Sequence, residues 1–419
     1  MANIYTPKKY TIKAYQTLTH QGPKVLAGKT LKKIASVLYR SGNSLTSNYS
    51  VDGASFKSIV DRRDVLLADT RKINITGKRK KPTKKINWVI SPPRSGGGHQ
   101  NMFRFIEHLD KHGYKNSIYL YSTEDRMSNS EAASNVSKYA DLKNTSFYQY
   151  TRDTPMEPAD AIFATGWETA YPVLNDNTSA EKLYFVQDFE PLFYPVGTEY
   201  VLAENTYRFG FTGITAGRWL SEKLTGEYGM KCISYDFGAE SGLYSYNNKG
   251  ERKEVFFYAR PVTERRAFDL GIMVLELFHK MHPDYIINLA GWDVKDYKVP
   301  FPYVNHKTMP LEDLAALYNK CAVGLVLSLT NMSLMPLELL ACGVIPVVNE
   351  GRNNKLVSDN PYIAYASATP RELAEKMSEV ITNGDIGARA ARAAKSVSTT
   401  GWEKSKEEFI SILEKELYG

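Results

Sequence analysis

Three stretches of the sequence carry residue types that can bind a phosphorylated ligand. The first, SPPRSGGGHQ (91–100), places Gly96, Gly97 and Gly98 between a predicted strand and a predicted helix. Consecutive glycines let backbone N–H groups approach an anion, and the positive end of a helix dipole adds to the attraction. The spacing is not GxGxxG, so the dinucleotide fingerprint is not met. The stretch predicts a phosphate or sugar site, and the alternative is a flexible turn between strand and helix.

The second stretch, FFYARPVTERRAF (256–268), contains arginines at a strand-to-helix turn. Arg260 ends the predicted strand, and Arg265 follows five residues later at the predicted start of a helix. Two arginines placed in this way can converge on a diphosphate through charge-assisted hydrogen bonds. Surface arginines are common, so this pattern alone does not decide the function.

The third stretch, SLTNMSLMPLELLACGVIPVV (328–348), contains Glu338 near the start of a short apolar helix that ends at Gly343. A carboxylate there can accept hydrogen bonds from sugar hydroxyls such as those of a ribose. The alternative is a glutamate that merely complements the helix dipole, and that reading is favoured when the stretch is considered by itself.

The elements that must position these residues form two similar sets. From residue 86 onward, short apolar strands alternate with helix-like segments, and the alternation starts again after a polar linker. This pattern predicts two doubly wound parallel sheets, that is, Rossmann-like domains at 86–240 and 241–401, followed by a C-terminal helix at 402–419. Because ligands of such folds bind at the carboxyl ends of the strands, we expect the site in a cleft between the domains.

Residues 1–85 are predicted to be a basic N-terminal extension with helical content. They hold 19 of the 53 Lys and Arg residues but only 4 of the 46 Asp and Glu residues. An amphipathic basic pattern at 22–42 and the run GKRKKPTKK (77–85) favour peripheral contact with an anionic membrane surface. The alternative is a helix that only stabilises the first domain. Nucleic-acid binding is a rival function for this extension. It is not expected, because the extension lacks interleaved aromatics and matches no known nucleic-acid-binding module.

Composition excludes several other classes of protein. The three cysteines are scattered, and no CxxC, HxH or HExxH motif occurs, so neither a disulfide framework nor a metal site is expected. No apolar run is long enough for a membrane span, and the N-terminus lacks the apolar region of a signal peptide. We therefore expect a cytoplasmic protein, in peripheral contact with the inner face of the membrane, that needs no cofactor.

The order of the three stretches resembles the retaining nucleotide-sugar transferases of glycosyltransferase family 4, which have the GT-B fold. The resemblance covers about residues 86–419. It implies that Arg260 and Arg265 contact the donor diphosphate and that Glu338 binds the nucleoside sugar. It also implies that the C-terminal helix crosses back to the first domain. The sequence departs from the family at Thr330, where a second glutamate is usual, and in the first domain, where Gln187 and Asp188 stand near the position of a usual histidine.

A narrower resemblance accommodates both departures. This sequence is similar to the WsaF-type rhamnosyltransferases of bacterial S-layer polyrhamnan assembly in three parts. They are the basic N-terminal extension, VQDFEPLFYPVGTEY and SLTNMSLMPLELLACG. That resemblance implies dTDP-β-L-rhamnose as the donor and a growing, lipid-linked rhamnan glycan as the acceptor, at the cytoplasmic face of the membrane. A 6-deoxy sugar needs fewer polar anchors, and Thr330 suits such a sugar better than a second carboxylate would.

These considerations define the predicted site. The donor or nucleotide residues are Gly96, Gly97, Gly98, Arg260, Arg265, His306, Lys307, Thr330, Asn331, Met332, Ser333 and Glu338, of which His306 and Lys307 are candidate base contacts. The acceptor-side residues are Gln187, Asp188 and Glu190, and the catalytic residues are Asp188, Arg260 and Arg265. We expect retention by a front-face route without a metal, in which the departing diphosphate oxygen takes the acceptor proton. A UDP- or GDP-sugar donor and a non-catalytic sugar-binding relic of the fold remain open alternatives.

Overall fold

A computed structural model describes the chain in several ranges. These are residues 50–51, 54–55, 59–71, 82–94, 96–240, 242–399 and 401–419. The chain divides into two compact units, Met1–Arg62 and Arg63–Gly419. In the first unit, β1 (Ser50–Val51) pairs antiparallel with β2 (Ala54–Ser55). The predicted amphipathic stretch at 22–42 and most of the basic run at 77–85 lie outside the described residues.

The second unit begins with a seven-stranded parallel sheet. Its strands are β3 (Lys85–Ile90), β4 (Lys115–Leu120), β5 (Thr145–Gln149), β6 (Ala161–Ala164), β7 (Glu181–Val186), β8 (Thr212–Ala216) and β9 (Cys232–Tyr235). They lie in the order β5-β4-β3-β6-β7-β8-β9. The strand order reverses at β3, so the Gly-rich stretch that follows β3 lies at the topological switch point, where ligands of such sheets bind.

One helix precedes the strands of this first sheet, and the other helices connect them. The helices are α1 (Arg62–Ala68), α2 (Gly97–Lys111), α3 (Asn129–Val136), α4 (Trp167–Asn175), α5 (Thr198–Thr206) and α6 (Arg218–Tyr228), with a 3₁₀ helix at Glu190–Phe193. The central strands are buried along nearly their whole length, as expected for a sheet covered on both faces. Trp88 on β3 stacks on Phe163 of β6 with ring centroids 4.1 Å apart, which ties the two central strands together.

A second parallel sheet repeats the arrangement with six strands. They are β10 (Glu254–Tyr258), β11 (Ile286–Ala290), β12 (Val304–Lys307), β13 (Cys321–Val326), β14 (Ile345–Asn349) and β15 (Ala364–Ala366), in the order β12-β11-β10-β13-β14-β15. The strand order reverses between β10 and β13. The two stretches with the arginines and Glu338 follow β10 and β13, so both lie at the second switch point.

The second sheet is also flanked by helices. They are α7 (Phe268–Met281), α8 (Leu311–Tyr318), α9 (Met335–Ala341), α10 (Arg352–Lys355), α11 (Pro370–Thr382) and α12 (Ile386–Ser396), with a 3₁₀ helix at Glu264–Arg266. At Gly271 on α7, an added Cβ would lie 2.1 Å from the Phe257 ring, so only glycine lets this helix lie so close to β10. The prediction of two parallel α/β sheets is confirmed.

The last helix, α13 (Trp402–Tyr418), packs on the first sheet although it follows the second. Phe409 lies against Phe105 of α2 and Phe163 of β6, at centroid distances of 4.9 and 6.1 Å. Arg104 stacks over the Trp402 ring at 4.1 Å. Within the described part of the chain, none of the helices combines the length and the apolarity needed to cross a bilayer.

Candidate active site

The carboxyl ends of the two sheets meet through a loop that follows β13. Thr330 Oγ1 donates a hydrogen bond to Asp188 Oδ2 at 2.8 Å, and the Asn331 backbone N–H donates to Asp188 Oδ1 at 2.8 Å. The Asn331 side chain donates to the backbone oxygens of Gln187 at 3.0 Å and Ala216 at 2.9 Å. This loop therefore holds the two switch points together, and it brings Thr330 and Asn331 into contact with Gln187 and Asp188.

Asp188 is the central acceptor of this contact. It follows β7 and is 9% exposed. A third donor, the Phe189 N–H, reaches Oδ1 at 2.8 Å, so both carboxylate oxygens are engaged. Burial raises the pKa of Asp188, while the Asn331 hydrogen bond and the charges of Arg266 and Arg265 oppose that rise. A carboxylate held by three donors is suited to positioning its neighbours and poorly suited to nucleophilic attack.

Arg265 and Arg266 present positive charge beside Asp188. Arg265 Nε lies 3.6 Å from Asp188 Oδ2, and its guanidinium stacks over the Phe193 ring at 4.1 Å. Its Nε is buried and lacks a hydrogen-bond partner. Arg266 donates to Ser328 Oγ at 2.6 Å, and burial lowers its pKa. The sequence prediction did not include Arg266 in the site, although it directly follows a predicted residue.

Arg260 lies at the end of β10 and contributes to the same field, because its charge lowers the pKa of Arg266. Its Nε donates to Thr263 Oγ1 at 3.1 Å and its Nη1 to the Tyr258 hydroxyl at 3.2 Å. Among the described residues, Arg260 forms an ion pair with no carboxylate. Arg265 and Arg266 thus share the Asp188 carboxylate, and Arg260 adds a third positive charge beside them. This excess of positive charge suits a polyanionic ligand.

The Gly-rich stretch lies next to this contact. Gln187 Nε2 donates to the Gly98 carbonyl at 3.1 Å, and Asn101 Nδ2 donates to Gln187 Oε1 at 2.9 Å. Gly96 is the N-cap of α2 and provides no side-chain cap for the first N–H groups. A Cβ added at Gly96 or Gly97 would meet nothing within 4 Å. The packing of the protein does not require glycine there, so the open helix terminus is available to an anion.

Glu338 lies on α9, close to α2. Burial raises its pKa to about 7, and the positive charge of Arg104 opposes that shift. Arg104 itself pairs with Glu240 and donates to Asn101 Oδ1 at 3.1 Å. A hydrogen bond from Tyr244 also favours the charged form of Glu338. The residue as a whole is half-buried.

Glu190, predicted on the acceptor side, faces a second acid that the sequence analysis missed. Glu190 Oε2 accepts from the Trp167 N–H at 2.5 Å and from the Tyr184 hydroxyl at 3.2 Å. Burial and the neighbouring Glu168 raise the pKa of Glu190 well above its usual value, and burial also raises that of Glu168. The only signal in the sequence was the position of Glu168, just after β6 at the carboxyl edge of the sheet.

The remaining predicted donor residues occupy different surroundings. Thr330 is 1% exposed and Met332 is 2% exposed, while Ser333 is half-buried. His306 and Lys307 lie on the edge strand β12, two strands from β10. His306 Nε2 lies 2.7 Å from Asn288 Oδ1, and Lys307 Nζ lies 3.6 Å from Asp293 Oδ2. Neither makes a hydrogen bond or ion pair with the arginines within the described ranges.

Comparison with protein families gives two matches in the order of the two sheets. Residues 103–216 match the N-terminal domain of WsaF, and residues 253–378 match its C-terminal domain. Together the matches cover more than half of the chain. The chain is also 33% identical over 317 residues to the O-antigen biosynthesis protein RfbC of Myxococcus xanthus. That alignment covers 73% of this chain but only 25% of RfbC, so the chain spans about a quarter of the length of this curated relative.

Solved structures share the two-sheet arrangement. The complex of Anabaena Alr3699/HepE with UDP and glucose aligns with a TM-score of 0.60 at 12% identity, covering 79% of this chain and 99% of that one. A variant of S. aureus TarM in complex with Fondaparinux, alpha-GlcNAc-glycerol and UDP aligns with a TM-score of 0.60 at 11% identity, covering 79% and 99%. At these identities the likeness concerns the fold, and it confirms the predicted GT-B architecture.

Proposed function

The chain belongs to the WsaF family of GT-B glycosyltransferases, and we propose that it transfers L-rhamnose from dTDP-β-L-rhamnose to a growing glycan with retention. The observation that carries this proposal is the arginine excess at the junction of the two switch points. Arg260 and Arg265 follow the first strand of the second sheet, and the open N-terminus of α2 lies on the first-sheet side of the same junction. A nucleoside diphosphate sugar is the ligand class that this charge distribution fits.

The diphosphate is the part of the donor that the arginines would bind. Arg260 has no carboxylate partner within the described residues, and Arg265 has an unpartnered Nε, so both can donate to phosphate oxygens. The N–H groups of Gly97 and Gly98, in the first turn of α2, would add uncharged donors to the anion. These groups can stabilise the charge that develops on the leaving diphosphate, which is the role that a divalent cation has in other transferases.

The nucleoside sugar is assigned to Glu338. A carboxylate accepts hydrogen bonds from sugar hydroxyls, and the deoxyribose of dTDP offers one where the ribose of UDP offers two. The structures of Anabaena HepE and S. aureus TarM were both obtained with UDP. A UDP-sugar therefore remains the second candidate donor, with a GDP-sugar as the third.

Retention is proposed to follow a front-face route. A double displacement requires a carboxylate free to attack the anomeric carbon. Asp188 is buried with both oxygens engaged, and Glu190 is bonded to Trp167 and Tyr184 with a pKa that favours its neutral form. In the proposed route the departing diphosphate oxygen accepts the proton of the acceptor hydroxyl as the new glycosidic bond forms on the same face. Asp188 then positions Arg265 and the loop that carries Thr330.

The acceptor is proposed to be a lipid-linked glycan at the membrane. The match to an O-antigen biosynthesis protein supports a polysaccharide acceptor. The basic residues of the first 85 positions would bring the enzyme to an anionic membrane, where each Lys or Arg near the surface contributes about 1 kcal/mol. Full-length protein should co-sediment with anionic vesicles at low salt and dissociate as salt rises. Equal binding to neutral and anionic vesicles would contradict this role.

Donor choice is tested by thermal shift against dTDP, UDP and GDP, followed by turnover assays with the matching sugars. A ligand that binds the native state raises the melting temperature in proportion to the logarithm of its concentration over Kd. We expect dTDP to give the largest shift, and dTDP-β-L-rhamnose to be consumed only when an acceptor glycan is present. Binding of nucleotides without transfer from any of the three donor classes would identify a non-catalytic relic of the fold.

A further inference from the structure

A cluster of two histidines and one glutamate lies between α2 and α13. His108 and His112 are four residues apart, at the C-terminal end of α2, and Glu407 is on α13. Their ligand atoms all lie within 4.8 Å of one another. The cluster belongs to the far end of α2, roughly 16 Å along the helix from Gly97 at a rise of about 1.5 Å per residue. It is therefore separate from the candidate active site.

The geometry of the cluster is close to that of a metal site. His108 Nε2 lies 3.1 Å from Glu407 Oε1, and His112 Nε2 lies 4.0 Å from the same oxygen. Ligands of a tetrahedral zinc ion, with bonds of about 2.0–2.1 Å, are roughly 3.3 Å apart. The two imidazole rings are already side by side, with centroids 4.3 Å apart. Small side-chain rotations would bring all three atoms to bonding distance.

The positions of the two imidazole rings leave Nε2 of each ring near the Glu407 carboxylate. His112 Nδ1 donates to the His108 carbonyl at 2.8 Å, so Nε2 is the ring nitrogen that an ion can bind. His108 is only 7% exposed, and its Nε2 is buried. The contact of this nitrogen with Glu407 lacks hydrogen-bond geometry, so the nitrogen has no hydrogen-bond partner. An orphaned buried nitrogen is costly unless something binds it.

Nearby charges do not block the site. Lys406 lies close enough to influence His108, but its ammonium pairs with Glu403 at 2.5 Å. Lys111 likewise pairs with Glu107 at 3.0 Å. Glu403 contributes negative charge near His108 and so favours a cation there. The charges of these pairs therefore nearly cancel, and the Glu407 carboxylate makes the local charge negative.

We propose that His108, His112 and Glu407 bind a divalent transition-metal ion, with Zn²⁺ as the best match. Two imidazoles and one carboxylate suit zinc, which takes a water as its fourth ligand. Because two of the ligands come from α2 and the third comes from the last helix of the chain, the ion would fasten α13 to α2. The site has a structural role, and it takes no part in the proposed sugar transfer.

The test is zinc binding by untagged, full-length protein, measured by titration calorimetry. We expect one high-affinity Zn²⁺ per chain in the parent. His112→Gln and Glu407→Gln should weaken that binding by at least about tenfold, since even loss of an outer-shell partner costs about 10- to 100-fold. His112 and Glu407 are 44% and 64% exposed, so these variants should fold. Glu408→Gln, which changes the next residue on α13, should bind as the parent does.

A second readout separates a built site from surface adhesion. Zn²⁺ should raise the melting temperature of the parent and of Glu408→Gln, because the ion binds only the folded arrangement of α2 and α13. Zn²⁺ should leave the melting temperatures of His112→Gln and Glu407→Gln unchanged. Equal affinity of all four proteins for Zn²⁺, or a parent that binds none, would overturn the proposal.

Discussion

Arg260 offers the cleanest test of the diphosphate assignment. Its hydrogen bonds reach Thr263 and Tyr258, neighbours within its own turn, and no carboxylate in the described structure depends on it. Removing the side chain should therefore leave the fold intact and remove one charged donor from the donor diphosphate. The loss of a hydrogen bond to a charged group costs about 1.5–3 kcal/mol. That range corresponds to about a 10- to 150-fold decrease in kcat/KM for Arg260→Ala.

Arg265→Ala should differ from Arg260→Ala in one respect. Arg265 lies 3.6 Å from the buried Asp188 carboxylate, so its removal also takes away a cation that helps to stabilise that charge. We expect a similar decrease in kcat/KM together with a lower melting temperature. Arg260→Lys keeps the charge but loses the two-pronged geometry, so its activity should be intermediate.

The assay measures dTDP release at varied donor concentration, with melting temperatures recorded in parallel. Arg371→Ala is the matched control, because that side chain is 81% exposed and pairs only with Glu375 in the described structure. The control should retain parental kcat/KM. If Arg260→Ala also retains it, the diphosphate does not lie at the end of β10 and the assignment is wrong.

Three further predictions concern other parts of the site. Gly97→Ala should have the melting temperature of the parent, since its Cβ meets nothing within 4 Å, but it should bind dTDP more weakly. Gly226→Ala is the control, because its Cβ is equally unobstructed. Equal dTDP affinity in the two variants would rule out anion binding at the N-terminus of α2. Parental affinity for dTDP-β-L-rhamnose should rise with pH through about 7, where burial places the pKa of Glu338, because the ionised carboxyl is the stronger acceptor. The diphosphate of a nucleotide sugar does not titrate in this range, so Glu338→Gln should bind more weakly without the slope, and a parent without the slope refutes the contact. Asp188→Asn should lower both melting temperature and kcat/KM because Arg265 loses its anionic partner. If Asp188→Asn instead keeps parental stability but transfers no sugar, a covalent role for the carboxylate is favoured.

The sheets and the switch points could be predicted from the sequence because their signals are local. Apolar runs alternate with helical periodicity at the spacing of parallel α/β units, and Gly-rich or charged turns follow particular strands. These signals predict Gly96–Gly98 and Arg260 at strand ends and Glu338 near the start of a helix. The same local logic placed the end of α9 at Gly343, whose φ of +77° suits glycine at a helix terminus.

Contacts between the sheets could not be predicted in this way. The Thr330–Asp188 hydrogen bond joins residues 142 positions apart, and it depends on how the two sheets face each other. Thr330 was expected to contact the donor sugar, whereas its hydroxyl is bonded to Asp188; whether it also contacts a sugar stays a prediction. Glu168 was missed because a single glutamate at a helix start has an ordinary explanation.

The histidine cluster shows a similar limit. His108 and His112 have the spacing of one helical turn, but two histidines at this spacing predict a metal site only when a third ligand is known. Glu407 lies about 300 positions later in the chain, and only the packing of α13 on α2 brings it to His108. The two histidines have the spacing found in HExxH, but Leu109 stands in place of the glutamate, so that motif is not met.

The central claim is that this chain is a retaining transferase for dTDP-β-L-rhamnose. One reaction tests it most directly: dTDP-β-L-rhamnose and a short rhamnan acceptor are incubated with full-length protein, with Mg²⁺ and Mn²⁺ omitted, and the product is analysed by NMR. We predict stoichiometric release of dTDP and a new β-linked rhamnose, which is the configuration of the donor. An α-linked product would contradict retention, and dependence on added Mg²⁺ or Mn²⁺ would contradict leaving-group stabilisation by Arg260 and Arg265.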